Sequence, residues 1–431
     1  MNILILGSGG REHALFWRLA QDESAQKIYA WPGNPGMALL PGKEREKYHA
    51  VSVAFSKENL RDIIELYHIQ LVIPGAEKYL YDGVADWCEE WNVACFGPGR
   101  AAASLERSKL FSKNLMVEAS VPTAHYKDLT LAFNGRPQRL ENLLSTFTRP
   151  VIKISGPSLG KGVFVCRDVP EAKEVLEKLK AQGLPGLEEG IFVEEAVTGK
   201  EVSLFYACNG DAFTYLGAAQ DHKRLRDNDE GPNTGGMGAI SPVEWANDRF
   251  TKLIEERFVK PTLAAMKRKG CPFKGMLFLG LMVNAQEIML LEYNVSFGDP
   301  ETQVILPLIE GDFTRFLYDV SRGAKAPAPV KLKDAWAVHV VKAAQGYPGL
   351  FGETVEKGRE ISLEEEPVVD TNVFFAGVRK EGGKLLTSGG RVLGVTAIAR
   401  NKDDARTKAY DGLKVASFQG QHFRGDIGLN L

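Results

Sequence analysis

The sequence has few cysteines, and no two of them sit at a metal-binding spacing. Five occur in 431 residues, at 88, 95, 166, 208 and 271, with no CxxC among them. An odd, scattered set excludes a disulfide scaffold and a zinc ribbon, and it fits a reducing compartment; a cytoplasmic protein is expected. Charge of either sign is not in excess: 53 Lys plus Arg stand against 55 Asp plus Glu, leaving -2. That removes the overall basic footprint of a nucleic-acid-binding chain. The longest apolar stretch, 276–283, is far short of the ~20 residues that span a bilayer, so no membrane partner is expected. The opening residues NILIL reach Gly7 without a charged leader, and no secretory signal is expected. Internal repeats are absent. What remains is a chain 44% hydrophobic and 25% charged, which is globular composition rather than disorder, collagen or coiled coil. At this length it should hold about three or four domains.

The first hundred residues alternate short apolar strands (2–6, 27–31, 70–74, 93–97) with helical stretches (11–20, 59–67, 82–91). This pattern predicts a doubly wound parallel sheet. A helix is expected over 104–119. The next region predicts short strands at 151–154 and 163–166 around a glycine-rich connection, a helix over 171–181 and a strand at 191–195. An antiparallel pair follows, 203–207 with 212–219, turned by Asn209-Gly210. A long polar loop is expected over 221–238. Phe250, Leu253, Ile254, Phe258 and Leu263 mark one face of a helix. The strands 276–283 and 288–293 read as a hairpin. An Ala/Pro linker at 325–329 precedes a last α+β segment.

Two glycine-rich loops carry the first chemistry. Gly7-Ser8-Gly9-Gly10-Arg11-Glu12 follows a strand and opens a helix, where backbone amides can bind an anion. Glu12 occupies the third glycine position of the dinucleotide fingerprint, and the second strand ends without a ribose-binding acid. The turn therefore suits a phosphate-bearing substrate, or equally a tight turn with no ligand. The second loop, between Lys153 and Gly162, has three residues between Gly156 and Gly160 and joins two strands. A P-loop has four and leads into a helix. A glycine-rich hairpin can lie over a triphosphate, with Lys153 and Lys161 supplying charge; a plain flexible hairpin is the alternative.

Acidic and amide groups supply the rest. Glu194, Glu195 and Val197 end a strand whose backbone could meet an adenine edge, with Glu201 next to accept ribose hydroxyls; a solvated acidic turn is the alternative. Glu292 and Asn294 share a strand face. One carboxylate and one amide oxygen suit a hard cation that also takes substrate phosphate oxygens. The stretches 220–224 and 231–238 suit a small polar anion. Within them His222 reads as a positioning residue more than a base, and His339, in an apolar strand, as a core histidine.

These residues fall into longer motifs: GSGGREHA at 7–14, PGNPG at 32–36, SKLFSK at 108–113, GKGV at 160–163, QDHKR at 220–224, GPNTGGMGAISP at 231–242, FGDPETQ at 297–303 and GGRVLGVTA at 389–397. In these the chain resembles the glycinamide ribonucleotide synthetase (phosphoribosylamine–glycine ligase) family of the ATP-grasp superfamily over essentially all of its length. The resemblance implies an N-terminal α/β substrate-binding domain (1–104), an ATP-grasp domain (105–328, with a lid near 125–190) and a C-terminal α+β domain (329–431). It implies ligation of glycine to 5-phosphoribosylamine with ATP and Mg²⁺ or Mn²⁺, in a monomer or weak homodimer. ATP is expected to meet Lys109, Lys153, Gly156, Gly160, Lys161, Gly162, Glu194, Glu195, Val197 and Glu201. The metal is expected on Glu292 and Asn294. Gly10, Arg11, Asn34, Glu77, Asp221, Lys223, Asn233, Thr234, Asp299 and Arg391 are expected at the phosphosugar or amino acid. Lys153, Asn294 and Asp299 are expected to take part in the chemistry.

The chain departs from the family at three places. GPEAPL is replaced at 75–80 by Gly-Ala-Glu-Lys-Tyr-Leu, and KADG at 153–156 by Lys-Ile-Ser-Gly. NxRFGDPE has Ser296 where the family carries arginine. Lys78, a charge new to its stretch, is the candidate to replace that guanidinium. Two further readings follow from the departures: a divergent carboxylate–amine ligase with another small substrate, and a weakened nucleotide-binding paralogue.

Overall fold

The computed structural model describes residues 1–40, 42–158, 162–349, 354–364 and 369–429. Five strands, β1 (Asn2–Gly7), β2 (Lys27–Pro32), β3 (Tyr48–Ala50), β4 (Leu71–Pro74) and β5 (Ala94–Cys95), form a parallel sheet in the order β3-β2-β1-β4-β5. Buried on both faces, β1 and β4 read as unbroken apolar runs. The strand order reverses between β1 and β4, the place where open α/β sheets bind ligands. Helix α1 (Gly10–Ala20) starts there. Strand β3 is short and only partly buried, which is why no apolar run announced it.

A four-stranded sheet follows, built from β6 (Tyr126–Asp128), β7 (Pro150–Ile154), β8 (Val163–Val165) and β9 (Ile191–Glu195) in the order β6-β9-β7-β8. Strands β7 and β8 pair antiparallel around the glycine-rich connection, Lys153 opposite Val163. This small unit keeps its own core, with Ile152, Leu176 and Val193 at the centre.

Most of the remaining strands form a single sheet that runs across the Ala/Pro stretch at 325–329. Strands β10 (Lys200–Asn209), β11 (Phe213–Asp221), β14 (Gly238–Ser241), β15 (Lys274–Val283) and β16 (Ile288–Asn294) continue through Trp336–Ala343, Arg391–Ala399 and Thr371–Phe375 as one eight-stranded sheet. The join is β14, which pairs with the C-terminal strand through Gly238 opposite Val340. The long polar loop is likewise resolved into structure: β12 (Arg224–Arg226) and β13 (Glu230–Asn233) make a small hairpin. The helical face read from Phe250, Leu253, Ile254, Phe258 and Leu263 also needs correction. Leu253 is 40% exposed, about 100° around the helix from the buried Ile254 and so at the edge of the face, and the helix carries a π-helical turn at Glu255–Val259.

The largest apolar core joins the N-terminal sheet to the long sheet and its C-terminal strands. It contains Leu15 and Phe16 of α1, Phe205 and Phe278 of the long sheet, Phe313 and Phe316, and Phe374. His13, buried in α1, accepts the Phe375 amide at 3.0 Å, and burial lowers its pKa to about 3, so it acts as a neutral acceptor. The Asn34 amide donates to Ser8 and Phe375 carbonyls and accepts from the Gly36 amide. The turn after β1 is thus fastened to the C-terminal strands.

Candidate active site

A cavity of about 240 Å³ lies where the four-stranded unit faces the edge of the long sheet. Lys109, Lys153, Gly162, Glu292, Asn294 and Glu77 line it, all named from sequence. Lys109 is set there by the helix Lys109–Glu118, capped by Ser108. That helix docks on the loop after β7: the Lys109 amide donates to the Ser155 carbonyl at 3.0 Å and the Leu110 amide to the Ser155 hydroxyl at 3.2 Å. Serine at 155 thereby holds lid and helix together.

Glu194 comes inward from β9, 2.5 Å from Lys153 and 2.6 Å from Lys113. All three are buried. Burial opposes the Glu194 charge, but the two ammonium groups outweigh it and hold its pKa below the ordinary value. Lys113 was missed in the sequence, although it lies one helical turn from Lys109 and so on the same face. Glu195 points the other way, where its carboxylate accepts the Thr148 and Arg149 amides. Val197 is partly buried just beyond β9. Gly160 and Lys161 lie outside the described residues.

Glu292 is opposed by burial and favoured by Lys223, Lys153 and Lys109, which keep it ionised. Glu292 and Asn294 both reach the cavity. Among the described residues no cluster of three or more His, Cys, Asp or Glu forms a ready cation site. One ionised carboxylate and one amide beside lysines therefore suit a cation whose shell is completed by phosphate oxygens.

A second group continues from Glu292 and Asn294. Lys223 is ion-paired with Glu201 and faces Asp221 and Glu292. Asp221 is partly buried, and desolvation raises its pKa. Thr234 donates its hydroxyl to the Lys223 carbonyl, and Asn233 ends β13 beside it. Arg391 contacts the Gly235 and Asp299 carbonyls and the Asp299 carboxylate, the last at 3.0 Å. Gly10 packs so closely that a Cβ would stand 2.8 Å from Gln303 Nε2. Glu106 was not foreseen: it lines the cavity and accepts the Val295 amide at 2.8 Å, and burial raises its pKa to about 8. His222 is buried near Arg424, its pKa lowered by burial to about 4. His339 is a core histidine, 2.8 Å from the Thr396 hydroxyl.

The glycine turn after β1 is filled by the chain itself. The Gly9 amide donates to the Glu12 carboxylate at 2.5 Å, and a Cβ at Gly75 would fall 2.2 Å from the same side chain. The carboxylate takes the place a dinucleotide pyrophosphate would need. Gly156 allows a close backbone approach. A Cβ there would meet the Gly186 backbone at 2.7 Å, and the Gly156 amide donates to the Gly186 carbonyl. Gly156→Ala is expected to cost about 1–3 kcal/mol, read as a lower melting temperature together with a raised KM for ATP. An unchanged melt would show that the two backbones can part freely.

A cavity between a glycine-rich hairpin and a sheet edge, lined by lysines and a Glu/Asn pair, is the site of an ATP-grasp enzyme. Residues 1–106, 107–302 and 337–430 match the N, ATP-grasp (A) and C domains of phosphoribosylglycinamide synthetase. The phosphoribosylamine–glycine ligase of Caldanaerobacter subterraneus is 38% identical over 429 residues, covering 99% of each chain. That of Synechocystis sp. is 39% identical over 435 residues, again 99% of each. The crystal structure of the Thermotoga maritima phosphoribosylamine–glycine ligase superposes with a TM-score of 0.83 at 34% identity, covering 99% of this chain and 100% of that one. The Campylobacter jejuni biotin carboxylase shares the fold, with a TM-score of 0.71 at 15% identity. The chain belongs to the phosphoribosylamine–glycine ligase family.

Proposed function

We infer that the chain joins glycine to 5-phosphoribosylamine at the expense of ATP, giving glycinamide ribonucleotide, ADP and phosphate in de novo purine synthesis. The observation that carries this reading is the end-to-end family match of a chain whose cavity holds Lys109, Lys153, Glu292 and Asn294 together.

The residues divide the work along the cavity. Lys109 and Lys153 bind the ATP phosphates, and Glu194 keeps Lys153 in place. Gly156 and Gly162 lie toward the triphosphate, Glu194 to Val197 borders the adenine, and Glu201 lies toward the ribose. A Mg²⁺ or Mn²⁺ ion on Glu292 and Asn294 would draw charge from the transferring phosphate. Asp221, Lys223, Asn233, Thr234, Asp299 and Arg391 bind and orient the amino acid and phosphosugar, with Gly10, Asn34 and Glu77 at the edge. A glycine carboxylate oxygen bonds to the γ-phosphorus as its bond to ADP breaks. The amine nitrogen then bonds to the acyl carbon, phosphate leaves with the electron pair, and the amine proton leaves with it. Closing these groups around an acyl phosphate keeps it from water. The working units proposed are 1–104, 105–328 and 329–431, in a cytoplasmic monomer or weak homodimer. Among the described residues no helix is long and apolar enough to cross a membrane.

The test is ADP release with ATP and a divalent cation. It should require both glycine and 5-phosphoribosylamine. Faster release with a different small carboxylate would favour the divergent-ligase reading that Ser296 suggests, and would sink this one.

A further inference from the structure

Lys78, the candidate to replace the family arginine, is exposed, with its ammonium 4.7 Å above the Tyr79 ring. Arg11 is engaged by the Glu12 carboxylate at 2.7 Å and the Phe297 carbonyl at 2.8 Å. A third cation, Arg424, was not named from sequence; it is 1% exposed and does not line the cavity. Its place is against the hairpin β12–β13, a two-stranded sheet of its own. Such a hairpin is marginal without outside support. The tip adds to that need, because Asn228 and Asp229 sit in the left-handed region, at φ +56° and +54°. The root carries groups of the site. Lys223 precedes β12, Asn233 ends β13, and the Thr234 amide and hydroxyl both donate to the Lys223 carbonyl, at 2.7 and 2.9 Å. Nη1 of Arg424 donates to the Arg224 carbonyl at 3.1 Å and to the Asp229 carboxylate at 2.8 Å, while Nε and Nη2 fork onto Asp426 at 2.7 and 2.6 Å. Asp426 also accepts the Asn228 amide at 2.8 Å, Asp227 accepts the Gly425 amide at 2.8 Å, and His422 Nε2 donates to the Leu225 carbonyl at 2.9 Å. The segment 422–426 is in turn fixed to the C-terminal strands and helix. The His422 and Ala343 backbones pair at 2.8 Å in both directions, and the Tyr410 hydroxyl donates to the Arg424 carbonyl at 2.7 Å.

We propose that Arg424 is a positioning residue: from the C-terminal segment it fixes the hairpin, and through it Lys223, Asn233 and Thr234, at the substrate end of the site. This rests on the ligase reading given above. The path is short, since the Arg224 carbonyl belongs to the residue after Lys223, and Arg224 stands opposite Asn233. The Lys223 ammonium pairs with Glu201 and faces Asp221 and Glu292, so a displaced backbone here misplaces a charge among three carboxylates. Lys109 and Lys153, which face the ATP phosphates, stand on other elements. Loosening the hairpin should therefore act on glycine and phosphosugar more than on ATP.

The experiment compares the wild type with R424Q, R424K and D227A/D229A. Three readouts are used: kcat and KM for each substrate from ADP release, amide hydrogen exchange across 224–233, and a thermal melt. In R424Q the KM for glycine or phosphoribosylamine should rise about tenfold or more, while KM for ATP moves less than about threefold. Exchange of the hairpin amides should quicken at least about tenfold, with the parallel sheet unchanged. R424K, which keeps the charge without the fork, should lie between the wild type and R424Q. D227A/D229A alters only exposed carboxylates at the tip, 71% of the Asp229 side chain being accessible. It should melt within about 2 °C of the wild type and still raise the same KM about threefold. Hairpin exchange no faster in R424Q overturns the proposal. So does faster exchange with every KM and kcat unchanged, the mark of a structural role alone, or a KM for ATP that rises as much as the others. If R424Q does not fold, D227A/D229A carries the comparison on the same criteria. A wild type without glycine-dependent ADP release overturns the functional reading and this proposal with it. An active wild type whose variants keep every KM overturns this proposal alone.

Discussion

Glu292→Gln should reduce glycine-dependent ADP release by at least about two to three orders of magnitude, the scale for one preorganised charged group in a water-excluded site. The substitution keeps the shape and one acceptor oxygen but removes the charge that balances Lys223, Lys153 and Lys109. Lys109 and Lys153 in the cavity, and Lys223 beside it, would then face no ionised group on the end of β16, and a divalent cation would add to that repulsion. The fold should survive, because the strand's pairing, Glu292 opposite Gly280, is made by backbone. The check is ADP release across a Mg²⁺ titration beside a thermal melt. Wild-type turnover at any Mg²⁺ concentration would remove Glu292 from the metal site.

Glu194→Ala should be the most destabilising single change at the site, by about 3–5 kcal/mol, because it leaves Lys113 and Lys153 buried without their common counter-charge. The loss should appear as a lower melting temperature and a higher KM for ATP, since Lys153 is no longer held. Glu194→Gln should lose less, keeping an acceptor while giving up charge. The pH dependence has a definite sign. The folded-state pKa of Glu194 lies below its ordinary value of 4.5. Its contribution is therefore complete above that value and is lost as pH falls through the lower folded pKa. Wild-type stability should approach that of Glu194→Gln on acidification. A gap that persisted below the carboxylate range would mean that the ion pairs are not its source.

Several elements were legible because local pattern and final structure obey the same constraint. Apolar runs at 2–6 and 70–74 became the buried centre of the parallel sheet, and Asn209-Gly210 turned the β10–β11 pair. Glu292 and Asn294 were readable as a pair because residues two apart on a strand share a face. Others were not legible. Strand β14, four residues long, joins two regions that the Ala/Pro stretch seemed to separate, and pairing between distant segments leaves no local mark. Lys78 looked available because it was new in sequence, yet its position one residue past Glu77 turns it to solvent.

By itself, the sequence determined the side chains on offer: lysines beside glycine-rich loops, a carboxylate and an amide two apart on one strand, and glycine turns. Tertiary structure decided which of these groups meet. Glu12 closes its own turn, Glu194 binds two lysines from different elements, and Arg11 reaches Ser296 across 285 residues of sequence. The physical reason is range. Propensity and periodicity act within one element, whereas an ion pair or a hydrogen bond depends on a separation of a few ångströms that only packing between elements can fix, here by a core joining the N-terminal sheet to the long sheet.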